Sequence, residues 1–249
     1  CKSLQDKAEG WLGKAQEAGA QGGDDGAQGV RPRVLDLCTG SGCIAWTLSL
    51  ETGAEVVAVD ISEKALDVAK AQGKFISSEN GGSMTGDAER ASETGDRVIV
   101  KPKFIKADVL DTESVITMLQ AAVEGGKYDI ILSNPPYVLE SEKQDMDSIV
   151  KDHDPALALF VPDDDVQKFN TAIGLIASAL LVEGGLLMVE INEKLGKESL
   201  EALVKAYEGG LKNAFDNGKD RTADAISLKT GIKKDLAGRD RFVFIGGNV

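Results

Sequence analysis

Beyond about residue 30 the chain alternates between two hydrophobic rhythms. Short apolar runs rich in Val, Ile and Leu occur at Arg33–Cys38, Glu55–Asp60, Lys103–Ala107, Tyr128–Ser133 and Leu186–Ile191. Each is followed by a stretch in which apolar positions return every three or four residues. The runs predict strands buried on both faces, and the stretches predict helices at about 42–50, 62–71, 113–123, 165–182 and 196–207. In the fourth of these helices Val166, Phe169, Ile173, Ile176 and Leu180 recur at that step and make one continuous apolar face. Ser62 stands where an N-cap hydroxyl accepts from an orphan amide of the first turn. Asp163–Asp165 are placed to cap and charge the start of the helix that follows them. Strand and helix in regular succession are the sequence form of a parallel sheet with crossover helices. Ala225–Leu228 and Arg241–Ile245 have no helix between them and predict a closing antiparallel pair.

Two stretches break the rhythm. Gly13, Gly19, Gly22, Gly23, Gly26 and Gly29 lie among Gln, Ala and Asp, with too little apolar surface to order themselves. Residues 1–29 are therefore expected to be a short N-terminal segment, helical at about 3–12, and a linker, with one domain over 30–249. Residues 71–97, rich in glycine and charge, predict a disordered insertion. Over the 249 residues, 42% hydrophobic and 28% charged suit a globular protein.

A net charge of −13 works against unaided attraction to nucleic-acid phosphates or anionic membrane surfaces. The longest nearly apolar run, Thr171–Val182, is too short to span a bilayer. Cys1, Cys38 and Cys43 have the spacing of neither a disulfide framework nor a zinc site, so a reducing compartment and no metal are expected. Cys38 and Cys43 read as small core fillers. No signal-peptide pattern opens the chain. His153, the single histidine, lies in Lys-Asp-His-Asp-Pro and reads as a loop residue rather than a general base.

Chemistry gathers where strands end. The first strand runs into Asp36-Leu-Cys-Thr-Gly40-Ser-Gly42-Cys-Ile-Ala45, a spacing that lets the backbone turn tightly before a helix whose N-terminal amides face a ligand. Asp60 ends the second strand, where a carboxylate can accept both hydroxyls of a ribose. Asp108 ends the third and could accept from an adenine amino group. Asn134-Pro135-Pro136-Tyr137 ends the fourth. Its prolines fix the backbone and remove amide donors, leaving the Asn134 side-chain oxygen and the Pro135 carbonyl as acceptors for an NH2 group beside an aromatic wall. In open α/β sheets the carboxyl ends of the strands face one crevice. Glu190 ends the fifth strand and either borders that crevice or serves the fold.

Taken together, Asp36–Gly42, Val59-Asp60, Asp108 and Ser133–Tyr137 resemble class I S-adenosylmethionine methyltransferases, and more narrowly the HemK/PrmC family, which methylates the glutamine of the Gly-Gly-Gln loop in translation release factors. Asp154–Leu159, Gly184–Glu190 and Asp235–Arg241 are similar to later landmarks of that family, and the resemblance covers about residues 31–247. It implies a Rossmann-like seven-stranded sheet of order 3-2-1-4-5-7-6, mostly parallel with an antiparallel last strand. It implies S-adenosyl-L-methionine as cofactor, held by Asp36, Thr39, Gly40, Ser41, Gly42, Asp60, Asp108, Val109 and Asn134. Asn134, Pro135 and Tyr137 would be catalytic, and Asn134, Pro135, Pro136 and Tyr137 would hold the substrate. The implied partner is a peptide chain release factor, with no membrane or direct nucleic-acid binding.

The family also carries an N-terminal helical domain and a Pro-Arg-x-Glu-Thr-Glu loop before the first strand, where this sequence has Gln5–Gly10. Weak transfer to release factor is the expectation for the chain as it stands. Cys38 in the glycine turn is most similar to the mitochondrial branch, so the expected location is intracellular, mitochondrial in a eukaryote and cytoplasmic otherwise. Two other readings are an adenine N6 methyltransferase, which shares the Asn/Asp-Pro-Pro-Tyr element, and a non-catalytic cofactor-binding remnant. A dehydrogenase would leave Asn134–Tyr137 unexplained.

Overall fold

The computed structural model describes residues 31–79, 100–144, 160–216 and 228–246. The expected N-terminal segment and linker, most of the 71–97 insertion, and His153 lie outside the described residues. In chain order the elements are β1 (Arg33–Leu37), α1 (Cys43–Thr52), β2 (Glu55–Asp60), α2 (Glu63–Glu79), β3 (Lys103–Lys106), α3 (Thr112–Gln120) and β4 (Tyr128–Ser133). They continue with β5 (Val138–Leu139), β6 (Phe160–Val161), α4 (Lys168–Leu180), β7 (Leu181–Glu190), α5 (Gly196–Asp216), β8 (Thr230–Lys234) and β9 (Asp240–Gly246).

Seven strands form one sheet in the order β3-β2-β1-β4-β7-β9-β8. Neighbours from β3 to β7 pair in parallel, and β9 runs antiparallel to both β7 and β8. Counted along the seven sheet strands this is the 3-2-1-4-5-7-6 order of a class I methyltransferase. β5 and β6 form a separate two-stranded sheet that the sequence pattern had not predicted.

Alternate residues of each central strand enter opposite cores, which is why these strands read as continuous apolar runs. Leu35, Leu37, Val57, Val59, Ile131, Leu187 and Val189 pack on one face with Ile173, Ile176 and Leu180 of α4 and Leu203 of α5. Val34, Val56, Ala58, Ile130, Leu132 and Met188 pack on the other face with Ile44, Ala45 and Leu48 of α1. Gly174 sits where α4 meets α5: a Cβ there would lie 2.7 Å from the Leu203 carbonyl oxygen, so the close approach of the two helices requires glycine. No helix among the described residues is long and apolar enough to cross a membrane.

Several boundaries differ from those expected. α2 continues to Glu79, so residues 71–79 of the expected insertion are helical. Gly73, which the composition treats as a breaker, lies against the indole of Trp46, where a Cβ would be 2.8 Å from the ring; packing has overridden propensity. The strand that pairs with β9 at the sheet edge is Thr230–Lys234, only partly buried, so that its lysines can reach solvent; of the expected strand Ala225–Leu228, residues 225–227 lie outside the described residues. α4 begins at Lys168, leaving Val166 outside it, and Gln167 occupies its N-cap position. Asp163 does not cap this helix; it accepts from the amide and hydroxyl of Ser141 instead. Ser62 caps α2 as expected, its Oγ accepting from the Ala65 amide at 3.3 Å.

Candidate active site

The carboxyl ends of β1 to β4 lie side by side at one edge of the sheet, so Asp36, Asp60, Asp108 and Asn134–Tyr137 arrive there from four neighbouring strands. Asp36 is fully buried. Thr39 Oγ1 donates to its Oδ2 at 2.6 Å, while Oδ1 is buried without a hydrogen bond of ordinary geometry. Burial pushes the Asp36 carboxyl up to about 7, against the Thr39 hydroxyl and the Ala45 amide, which favour the charged form; the Asp60 charge adds to the rise.

β1 stops at Leu37 because Cys38 turns into the left-handed region at φ 60. Cys38 is half-buried and packs against the core, as expected of a small filler, and burial pushes its thiol up to about 12, with the charge of Asp60 next in weight and those of Asp36 and Asp108 adding to it. Cys43, expected in the core, is exposed at the start of α1.

The turn itself is strapped to β2. Thr39 N donates to the Val59 carbonyl at 2.9 Å, Gly40 N to Asp60 Oδ2 at 2.8 Å, and Ser62 N to Asp60 Oδ1 at 2.8 Å. Each Asp60 oxygen thus takes one amide and retains acceptor capacity for a further donor. Gly40 and Gly42 differ in what their missing side chains achieve. Around a Cβ at Gly40 there would be nothing within 4 Å, so the turn is open there. At Gly42 a Cβ would lie 2.8 Å from the Ala69 Cβ, so this glycine lets α1 start against α2. Ser41 is exposed, and its carbonyl accepts from Gln72 Nε2 at 2.9 Å. Asp108 is exposed and accepts the Leu110 amide at 2.9 Å, whereas the Val109 side chain belongs to the apolar core.

The Asn134 turn is anchored beside this loop, since Ser133 Oγ donates to the Leu37 carbonyl at 2.9 Å and ties the exit of β4 to the exit of β1. Pro135 is buried; Asn134, Pro136 and Tyr137 are partly exposed. The Tyr137 hydroxyl donates to Glu190 Oε1 at 3.0 Å. Burial, reinforced by the Glu190 charge, pushes this phenol up to about 12.

Sequence reasoning missed Ile61 and Leu110, large apolar side chains left 44% and 40% exposed at the ends of β2 and β3. Their position directly after or two after an acidic strand-end residue was the signal available. It also missed Asn192 and Arg241, which reach the Tyr137 region from the end of β7 and the start of β9.

No family model matches the chain. It is 35% identical over 197 residues to the release factor glutamine methyltransferase of Bacteroides thetaiotaomicron, covering 78% of this chain and 59% of that protein. It is likewise 35% identical over 212 residues to that of Flavobacterium psychrophilum, covering 85% and 57%. To the ribosomal protein uL3 glutamine methyltransferase of Francisella tularensis it is 35% identical over 162 residues, covering 64% and 41%. The chain spans a little over half the length of the first two. Among solved structures it is similar to a magnesium protoporphyrin IX methyltransferase from Synechocystis, with 15% identity, coverage of 99% of this chain and 79% of that one, and a TM-score of 0.46; the sheet order is the stronger statement of fold.

Proposed function

Over most of its length the chain is a relative of the release factor glutamine methyltransferases, and from that kinship we propose that it methylates the side-chain amide nitrogen of glutamine in the Gly-Gly-Gln loop of a translation release factor, with S-adenosylmethionine as donor. The observation that supports the reading is the Ser133–Leu37 hydrogen bond, which ties the exit of β4, where the Asn134–Tyr137 turn begins, to the exit of β1, where the glycine turn begins. The relatives named above differ in the protein modified, release factor or uL3, and agree on glutamine.

The residues suit the donor. Asp60 would take the ribose hydroxyls, Ile61 and Leu110 offer apolar surface to a base, and the Gly40 turn is open where the cofactor would approach. Asp36 and Asp108 add negative charge fitting a molecule that carries an ammonium and a sulfonium. Bound there, S-adenosylmethionine supplies an electrophilic methyl group.

The rest of the task falls to the acceptor side. An amide nitrogen is a poor nucleophile because its lone pair is delocalised into the carbonyl. The Asn134 side-chain oxygen and the Pro135 carbonyl would accept its two N–H bonds, orienting the nitrogen, and Tyr137 would wall the flat amide. Holding reactants in an attack geometry is worth about 7–11 kcal/mol. Glycines flanking the glutamine leave room for entry beside Tyr137. Free thiols at Cys38 and Cys43 suit a reducing compartment.

The test is incubation of the chain with isotopically labelled donor and a mixture of release factor and DNA, read by peptide and nucleoside mass spectrometry. A methyl group on the Gly-Gly-Gln glutamine is expected, and labelled adenine with unlabelled glutamine overturns the reading. Asn134→Ala is expected to abolish transfer while leaving donor affinity in calorimetry nearly intact, because Asn134 is assigned to the acceptor nitrogen.

A further inference from the structure

Tyr137 is gripped at both its ends by two residues from one strand end. Its hydroxyl donates to Glu190 Oε1 at 3.0 Å, and its main-chain carbonyl accepts from Asn192 Nδ2 at 3.2 Å. Glu190 and Asn192 are two apart, so at the end of β7 they point to the same side, and both are nearly buried, at 7% and 8% exposure.

The grip is itself supported. Arg241 Nη1 lies 3.8 Å from Glu190 Oε1, and Arg241 Nη2 lies 3.2 Å from Asp235 Oδ2. Asp235 accepts the amides of Ala237 at 2.9 Å and Arg239 at 3.0 Å, so the β8–β9 turn is closed around it. Asn192 Nδ2 also donates to Glu142 Oε2 at 3.0 Å, and its Oδ1 accepts from the Lys194 amide at 3.0 Å. Stability alone does not call for such an arrangement, because a partly buried ion pair at a sheet edge often contributes no more than well-packed apolar side chains. What it does is immobilise one aromatic ring. Pro135 and Pro136 stiffen the main chain of the turn, and nothing in a proline pair fixes the χ angles of the tyrosine that follows.

We propose that Glu190 and Asn192 are positioning residues that act through Tyr137, holding its ring as a fixed wall of the acceptor site, with Arg241 and Asp235 of the terminal hairpin holding Glu190 in turn. This rests on the glutamine-methylation reading for its consequence in turnover, and on geometry alone for the grip.

The experiment follows the Tyr137 ring in cofactor-free protein by NMR of ring-13C tyrosine. The chain has three tyrosines, and the Tyr137 signal is identified by its loss in Tyr137→Phe. Glu190→Leu is expected to shift and broaden that signal, and Glu190→Gln, whose amide oxygen still accepts from the phenol, to return it to the wild-type position. In turnover with release factor, Glu190→Leu and Tyr137→Phe are each expected to lower kcat about 10- to 100-fold, with donor KM unchanged. The double variant should be no slower than either single one.

A Tyr137 signal indifferent to Glu190→Leu overturns the proposal, as do penalties that multiply in the double variant. So does a Glu190→Gln protein as impaired as Glu190→Leu. If Glu190→Leu fails to fold, Asn192→Ala gives the same NMR and kinetic readings by releasing the carbonyl instead. If the wild-type chain places no methyl on glutamine, the function proposed above fails while the NMR arm still decides the grip.

Discussion

Asp36 lies buried beneath the glycine turn with its carboxyl pushed up to about 7, so near neutral pH the cofactor-free protein is divided between two protonation states. A cationic donor bound nearby favours the carboxylate, and binding therefore releases a proton. Affinity is expected to rise between about pH 6 and pH 8, and the calorimetric heat to change with the ionisation enthalpy of the buffer. Heats identical in all buffers would count against this. Asp60→Ala is expected to weaken donor binding by about 1.5–3 kcal/mol, the worth of a hydrogen bond to a charged group; an unchanged dissociation constant removes Asp60 from the ribose site. The Cys38 thiol is kept protonated by burial and by the nearby negative charge of Asp60, so it is a poor nucleophile despite its place in the glycine turn. Alkylation near pH 8 followed by peptide mapping should mark exposed Cys43 and spare Cys38; equal labelling contradicts it.

At the scale of elements, two helical glycines have opposite meanings that composition does not distinguish. Gly174 in α4 has a carbonyl oxygen of α5 2.7 Å from where its Cβ would be, whereas Gly209 in α5 has nothing within 4 Å. Gly174→Ala is expected to destabilise the protein by about 1–3 kcal/mol through overpacking. Gly209→Ala is expected to stabilise it by about 0.5–1 kcal/mol through the lower backbone entropy of its unfolded chain. Urea denaturation midpoints moving in the same direction for both would refute the packing account. The same physics explains the reading that failed. α2 passes through Gly73 because Trp46 covers it. Helix and strand existence followed hydrophobic period; their ends followed neighbours that the period does not contain.

The whole molecule couples these sites to pH and salt. Asp36 has a folded-state value near 7 against an ordinary 3.8, so its contribution to stability is fully present below about 3.8 and is lost as pH rises through about 7. Asp36→Asn is expected to flatten the dependence of melting temperature on pH between about 4 and 7, and a slope equal to wild type would show that other groups set it. With a net charge of −13, encounter with a basic protein loop should be accelerated at low ionic strength. On the proposed reaction, kcat/KM for release factor is expected to fall as salt is raised while donor affinity changes little, and a salt-independent kcat/KM argues for a neutral or acidic partner.

The alternation of buried runs and helical stretches determined the sheet and its crossovers, because a strand covered on both faces has to be apolar throughout. The residue types at the strand ends determined the candidate chemistry: Asp36, the glycine turn, Asp60 and Asn134–Tyr137 were all legible as acceptors or bare backbone. Only the tertiary structure decided which of them lie together. It tied β4 to β1 through Ser133, and gave Gly40 to the opening and Gly42 to helix packing. It also brought Glu190, Asn192 and Arg241 to Tyr137 from 53, 55 and 104 residues away along the chain. Local sequence carries a residue's own chemistry and periodicity. The partner that buries it, holds it or shifts its proton comes from another strand, and pairing across the sheet sets that.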